Sequence, residues 1–166
     1  MTNMAQTDPV DTAWRIHAAL ADWTGKVDAK AGFALTLESA VLGAVIAVSG
    51  SRHRPELDGT LPVILLWLGA GLLALAALAS VSVVGPRLRT PAGHDWREHF
   101  VYFGDLRHWA PEHLAEKLAD TSPLESLSRQ IVSMSRIAWT KHQRVQQSLL
   151  LAVTGVAAIA LAWLLG

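Results

Sequence analysis

The chain has no cysteine and little charge, and both absences exclude classes of protein. Without cysteine there can be no disulfide, no thiol nucleophile and no cysteine-bound metal. Only 17% of the residues are charged, and 14 basic residues balance 14 acidic ones, so no overall field favours nucleic acid as a partner. Neither a phosphate-binding loop nor a nucleophile elbow occurs in the sequence. We therefore predict that the protein is not an enzyme and has no metal or resident cofactor.

In place of such motifs, the sequence has three long apolar segments, at residues 31–48, 61–84 and 149–165. The second and third contain no charge, and the first contains one ionisable residue, Glu38. About 20 apolar helical residues cross the hydrocarbon core of a bilayer. The sequence thus predicts an all-α protein with three transmembrane helices in a lipid bilayer. The alternative, three core helices of a soluble domain, requires unusually many charge-free helices for one small domain.

The first apolar segment belongs to a longer helical pattern. Apolar residues recur at steps of three and four from Ala13 to Ala34. We predict a disordered tail over residues 1–10, followed by a cytoplasmic helix that continues into the first span over residues 11–48. The second span is predicted to cover residues 61–85.

The third span is also predicted to be the end of a long helix. Ser122, Pro123 and Glu125 form a helix-start signal, with a capping hydroxyl, a proline at the first helical position and an acid three residues after the cap. A heptad-like apolar stripe follows, so the predicted helix covers residues 122–166. Its first half and that of the first helix are expected to form a cytoplasmic helical stalk.

Residues 86–121 are predicted to form the remaining cytoplasmic part, with two short helices. The first covers residues 94–103 and ends in a turn where Gly104 would adopt a left-handed conformation. The second begins with a proline and covers residues 111–119.

The basic residues indicate an orientation. Three lysines and arginines precede the first span, two lie between the first and second spans, and nine lie between the second and third. Because basic residues accumulate on the cytoplasmic side, we predict a cytoplasmic N-terminus, a cytoplasmic second connection and an external C-terminus in the cell inner membrane.

Glu38 is the one ionisable residue inside a predicted span. A charge near the middle of a span costs about 2.5–3.5 kcal/mol, so the carboxylate should face a partner, a pore or water. One interpretation is a carboxylate that faces a pore or an oligomer contact. The other is a protonated or hydrogen-bonded glutamate inside the bundle, with Thr36, Ser39 or Thr154 as its partner.

Charged residues also mark the cytoplasmic edges of the first and third helices. Asp28 and Lys30 lie at the edge of the first span, and Lys141 lies on the apolar stripe of the last helix. Asp28 and Lys141 are expected at similar depth, where an ion pair between the two helices is possible. The alternative is ordinary interfacial charge, with lysines that reach toward the headgroups.

The second connection mixes rings with cations. Within it, aromatic rings alternate with Arg97 and Arg107, and these rings are Trp96, Tyr102, Phe103 and Trp109. They suit either the stacking of a nucleotide or, as the more ordinary interpretation, an aromatic belt or the core of the short helices. The four histidines of this region lack a zinc-binding signature and indicate no metal site.

Two groups of residues resemble the membrane effectors of Pycsar, the bacterial anti-phage system that signals through cyclic pyrimidine nucleotides. The first is Asp28-Ala29-Lys30-Ala31-Gly32, which opens the first span. The second runs from Val101-Tyr102-Phe103-Gly104-Asp105 through Gln130-Ile131 and Ser135-Arg136-Ile137-Ala138 to Lys141. Met134 stands where that family usually has leucine. The resemblance extends over about residues 12–165.

The resemblance implies a role and a partner. A cyclic pyrimidine mononucleotide, made by a partner cyclase after infection, would activate the protein, which would then damage the inner membrane. The candidate ligand-binding residues are Arg97, Phe103, Arg107, Arg129 and Arg136. Asp28, Lys30 and Lys141 are the candidates for coupling, Glu38 for an intramembrane role, and a homo-oligomer is expected. The alternatives are a ligand-free scaffolding membrane protein and a small channel subunit that uses Glu38.

Overall fold

A computed structural model describes residues 8–50, 57–85, 95–98 and 100–166. All regular structure in this part of the chain is helical, which confirms the all-α prediction. The elements are α1 (Pro9–Ser49), α2 (Thr60–Val84), a 3-10 turn (Trp96–Glu98), α3 (Phe103–Leu106), α4 (Pro111–Asp120) and α5 (Leu124–Leu165).

Three of these helices, α1, α2 and α5, are long and apolar enough to cross a membrane. Only 17–22% of their most apolar stretches is buried inside the protein. Large apolar side chains such as Trp67 (70% exposed) and Leu78 (65% exposed) point outward from α2. An apolar outer surface suits contact with lipid, and helices satisfy their own backbone hydrogen bonds there. The chain is therefore a membrane protein.

The chain divides into two compact units. The span unit contains the described residues of 26–85 and 140–166, and the short-helix unit contains those of 8–25 and 86–139. Helices α1 and α5 each contribute residues to both units.

Close packing of α2 against α5 organises the span unit. The buried residues of α2 at steps of four and three are Gly69, Leu73, Ala76, Ser80 and Val83. This spacing is that of helices which cross at a shallow angle with interlocking side chains. At Gly69 the two backbones meet, because a Cβ there would lie 2.6 Å from the carbonyl oxygen of Gly155. Glycine is therefore required at this crossing.

Local capping explains the starts of α1 and α5. Helix α1 begins at Pro9, two residues before the predicted start, and Asp8 Oδ1 accepts a hydrogen bond from the backbone N–H of Val10 at 3.0 Å. Residues 1–7 of the predicted tail lie outside the described residues. Helix α5 begins at Leu124, whose N–H donates to Ser122 Oγ at 3.4 Å, in agreement with the predicted start signal.

The predicted short helix over residues 94–103 is wrong in its described part. A 3-10 turn covers Trp96–Glu98, and Phe103 begins α3 instead of ending a helix. Gly104 is not left-handed, since Gly59 is the one described residue with a positive φ (103°). Glycine suits position 104 for another reason, because a Cβ there would collide with the ring of Tyr102. His94 and His99 lie outside the described residues.

Candidate functional site

A line of buried or half-buried side chains along α5 joins the three long helices within the span unit. Its members are Lys141, Val145 and Ser148, which follow one another at steps of four and three. Residues at this spacing lie on one face of a helix. We call this line the α5 seam.

An ion pair forms the first level of the α5 seam. Lys141 Nζ donates to both carboxylate oxygens of Asp28, at 2.6 and 2.8 Å. The two side chains are 22% and 37% exposed, so the pair is partly withdrawn from water. Removing one partner of such a pair costs more than it does at a fully exposed pair, which is worth about 0–1 kcal/mol. Of the two interpretations that the sequence left open, the structure has the ion pair, and its coupling role stays a prediction.

An apolar layer forms the second level. Val145 packs in one buried cluster with Val27 and Ala31 of α1 and Val83 of α2. Ala31 is fully buried, and Val27 and Val83 are 3% and 1% exposed. This layer separates the ion pair from the polar groups deeper in the apolar segments.

A carboxylate and two hydroxyls form the third level. Ser148 Oγ donates to Glu38 Oε1 at 2.5 Å, and Ser80 Oγ lies 2.7 Å from Ser148 Oγ. Because a serine hydroxyl has one hydrogen, Ser80 must donate to Ser148 when Ser148 donates to Glu38. The result is a hydrogen-bond relay from α2 through α5 to α1. All three side chains are buried, with exposures of 0%, 0% and 3%.

The relay differs from the partners that we predicted for Glu38. Thr36 Oγ1 donates to the backbone oxygen of Gly32 at 3.0 Å, and Thr154 Oγ1 donates to that of Leu150 at 2.8 Å. Both hydroxyls are therefore used within their own helices, as is common for threonine inside helices. Glu38 Oε2 is buried and has no hydrogen-bond partner among the described residues.

A second cation of α5 binds α2 near the same level as the apolar layer. Arg144 donates through one Nη to Ser82 Oγ at 2.9 Å, and Ser82 Oγ in turn donates to the backbone oxygen of Ala79 at 2.6 Å. Sequence reasoning missed Arg144, although its position one residue before Val145 places it beside the α5 seam. Lys30, a predicted coupling residue, is exposed on α1.

In the short-helix unit, aromatic rings pack against one another. Trp96 meets Trp109 edge to face at 5.6 Å between ring centroids and lies 5.8 Å from the ring of His108. The guanidinium of Arg97 lies 4.7 Å from the ring centroid of Trp96. These contacts favour the core interpretation for the two tryptophans. Phe103 is 67% exposed.

The five predicted ligand-binding residues differ in their described contacts and exposure. Arg97 and Arg107 flank the Trp96–His108 pair, because Arg107 Nε donates to His108 Nε2 at 3.0 Å. Arg136 is exposed on α5. Arg129 pairs with Glu125 at 2.6 Å and lines a cavity.

That cavity is the second candidate site. It has a volume of about 280 Å³ and belongs wholly to the short-helix unit. It is lined by Phe100, Lys117, Thr121, Ser122, Glu125, Ser126 and Arg129. Apart from Arg129, sequence reasoning named none of these residues as ligand-binding, because the cavity depends on how α4 turns back onto the start of α5.

Among the described residues there is no group of three or more histidine, aspartate or glutamate side chains that could hold a metal ion.

These helices, polar contacts and cavity define the class of the protein. It is a small all-helical membrane protein whose potential spans are joined by internal polar contacts. The sequence profile of the Pycsar effector protein domain matches residues 12–166. The chain belongs to the Pycsar effector family, as its motifs at residues 28–32 and 101–141 indicated. No curated protein and no solved structure matches it.

Proposed function

We propose that this membrane effector of anti-phage defence is activated by a cyclic pyrimidine nucleotide and then impairs the integrity of the inner membrane. Membership of the Pycsar effector family implies a partner cyclase and a membrane context. The observation that carries the second half of the proposal is the α5 seam, where charged and polar side chains are held inward by one another.

The α5 seam contains polar groups whose exposure to lipid without a hydrogen-bond partner is energetically unfavourable. Exposing an ionisable side chain at the centre of a span costs about 2.5–3.5 kcal/mol, and water defects reduce that cost. A shift of α5 that separates Ser148 from Glu38 would remove the hydrogen-bond donor of the carboxylate, and water that enters the span would then solvate it. Hydrated carboxylates and hydroxyls would then line a path for ions. In this proposal the contact of Ser148 with Glu38 keeps the resting membrane sealed, and activation breaks it. The Asp28–Lys141 pair stays formed during activation and transmits the nucleotide signal to the spans.

The direct experiment follows membrane potential in cells that express the protein. Co-expression with an active pyrimidine cyclase should depolarise the membrane, because the cyclase supplies the activating nucleotide. A cyclase inactivated at its catalytic site, produced at the same level, is the matched control. Depolarisation with both cyclases, or with neither, would contradict activation by the nucleotide.

Two further parts of the proposal concern orientation and assembly. A cytoplasmic N-terminus follows from the basic residues, so a reporter that is active only outside the cytoplasm should work when fused after Gly166.

Three spans leave little room for a pore within one subunit, so we propose a homo-oligomer. A protein that stays monomeric in detergent, with and without cyclic nucleotide, would contradict this assembly.

A small channel subunit is the second candidate function. It is favoured by the buried oxygen Oε2 of Glu38, which has no partner among the described residues. A channel would conduct without a cyclase, whereas the effector requires one.

A further inference from the structure

The cavity of the short-helix unit has the charge of a site for a singly charged anion. Lys117 and Arg129 supply two positive charges to its wall, and Glu125 supplies one negative charge. The formal balance of these three side chains is one positive charge. Lys117 is half-buried, whereas the side chains of Arg129 and Glu125 are 54% and 79% exposed, so a ligand can reach them.

We propose that this cavity binds the phosphodiester of a pyrimidine nucleoside 3′,5′-cyclic monophosphate. A cyclic phosphodiester carries one negative charge, whereas a linear mononucleotide carries about two at neutral pH. The charge balance of the wall therefore matches the cyclic form better than the linear one. This inference rests on the proposed function and assigns it a binding site.

The polar side chains of the wall fit the phosphate and sugar. Glu125 accepts a hydrogen bond from an Nη of Arg129 at 2.6 Å, which fixes the orientation of the guanidinium beside the cavity. Ser122 Oγ accepts the N–H of Leu124, and a serine hydroxyl can also donate one hydrogen bond. The start of the 42-residue helix α5 adds a favourable field for an anion at this end of the cavity.

The remaining wall and the size of the cavity fit a pyrimidine base. Phe100 contributes an apolar surface, and the carboxylate of Glu125 can accept an N–H from the edge of a base. A volume of about 280 Å³ lies just below the range for small-molecule pockets, about 300–1,000 Å³, and suits a mononucleotide rather than a dinucleotide.

The test is calorimetric titration of the full chain in lipid nanodiscs with cUMP, cCMP and linear UMP. The unaltered protein should bind one of the cyclic nucleotides more tightly than linear UMP. Lys117→Gln and Arg129→Gln should each weaken that binding roughly 10- to 100-fold, the effect of losing one charge-assisted hydrogen bond. Arg15→Gln removes an exposed cation of the short-helix unit outside the cavity and should leave binding unchanged.

A fourth variant tests the charge balance itself. Glu125→Gln raises the formal charge of the wall from one to two positive charges. The ratio of the affinities for linear UMP and the cyclic nucleotide should therefore rise, while a merely structural Glu125 would lower both affinities together. Unchanged helical circular dichroism and unfolding temperature show that each variant is folded.

The outcomes separate failure of the site from failure of the function. Equal binding by the unaltered protein and by folded Lys117→Gln and Arg129→Gln overturns the site and leaves activation by the nucleotide intact. Cyclase-dependent depolarisation without direct binding also overturns the site, because another protein must then read the nucleotide. Absence of both binding and depolarisation overturns the site and the proposed activation together.

Discussion

The two units of the protein differ in how several of their polar side chains are bonded. In the span unit, Glu38, Ser80 and Ser148 are buried and bonded across three helices. In the short-helix unit, Arg107 and Arg129 bond to residues one and four positions away in sequence and stay accessible. Long-range buried polar contacts fix how helices pack, whereas local exposed ones change stability little. From this comparison we propose that the span unit controls the conformation and that the short-helix unit receives the ligand.

Removing the central donor of the relay should have the largest effect on stability. Ser148→Ala leaves the buried carboxylate of Glu38 without its hydrogen bond, and we expect the free energy of unfolding to fall by about 3 kcal/mol. Unfolding of the purified protein in detergent measures the change. Ser39→Ala, an exposed serine of α1, is the matched control and should be neutral. Equal stability of the two variants would show that the relay contributes nothing.

The helix crossing gives the next largest effect. Gly69→Ala places a Cβ against the backbone of α5, so we expect a loss of about 2 kcal/mol. Gly71→Ala meets no atom within 4 Å and gains up to about 1 kcal/mol from helix propensity. Since both substitutions change propensity alike, the difference between them measures the crossing. If Gly69→Ala is as stable as Gly71→Ala, the close approach of α2 and α5 is wrong.

The short-helix unit should tolerate an exposed substitution. Phe103 is 67% exposed, so Phe103→Ala should change the free energy of unfolding by less than about 0.5 kcal/mol. The Phe103→Ala variant should still depolarise the membrane when an active cyclase is co-expressed, because Phe103 does not line the cavity. Loss of that response in a folded variant would restore Phe103 as a ligand-binding residue and weaken the assignment of the cavity.

Local periodicity predicted the long helices, and the extent of α5 follows from its stripe at steps of three and four. Asp28 and Lys141 lie at similar depth at the edges of their apolar segments, which allows an ion pair without requiring one. Periodicity did not predict the hydrogen-bond partners of Glu38, because Ser80 and Ser148 belong to other helices. Choosing them requires the rotation of each helix about its axis, which a single sequence does not determine.

The short-helix unit departs most from the structure that its sequence predicts. Gly104 was predicted to end a helix, but it lies inside one, because glycine also serves where a neighbouring ring needs space. The cavity was missed for a different reason. Phe100, Lys117 and Arg129 are far apart in sequence and follow no motif spacing, so they meet only through the packing of α4 and α5 within this unit.

The central claim is that the Asp28–Lys141 pair links the nucleotide signal to movement of the spans. Membrane potential during co-expression with an active pyrimidine cyclase tests it most directly. We predict that Asp28→Ala and Lys141→Ala each abolish depolarisation at normal membrane abundance, and that the charge swap Asp28→Lys with Lys141→Asp restores part of it, as a double-mutant cycle requires of a real contact. Single variants that depolarise as fully as the unaltered protein would contradict the account, as would additive losses without rescue.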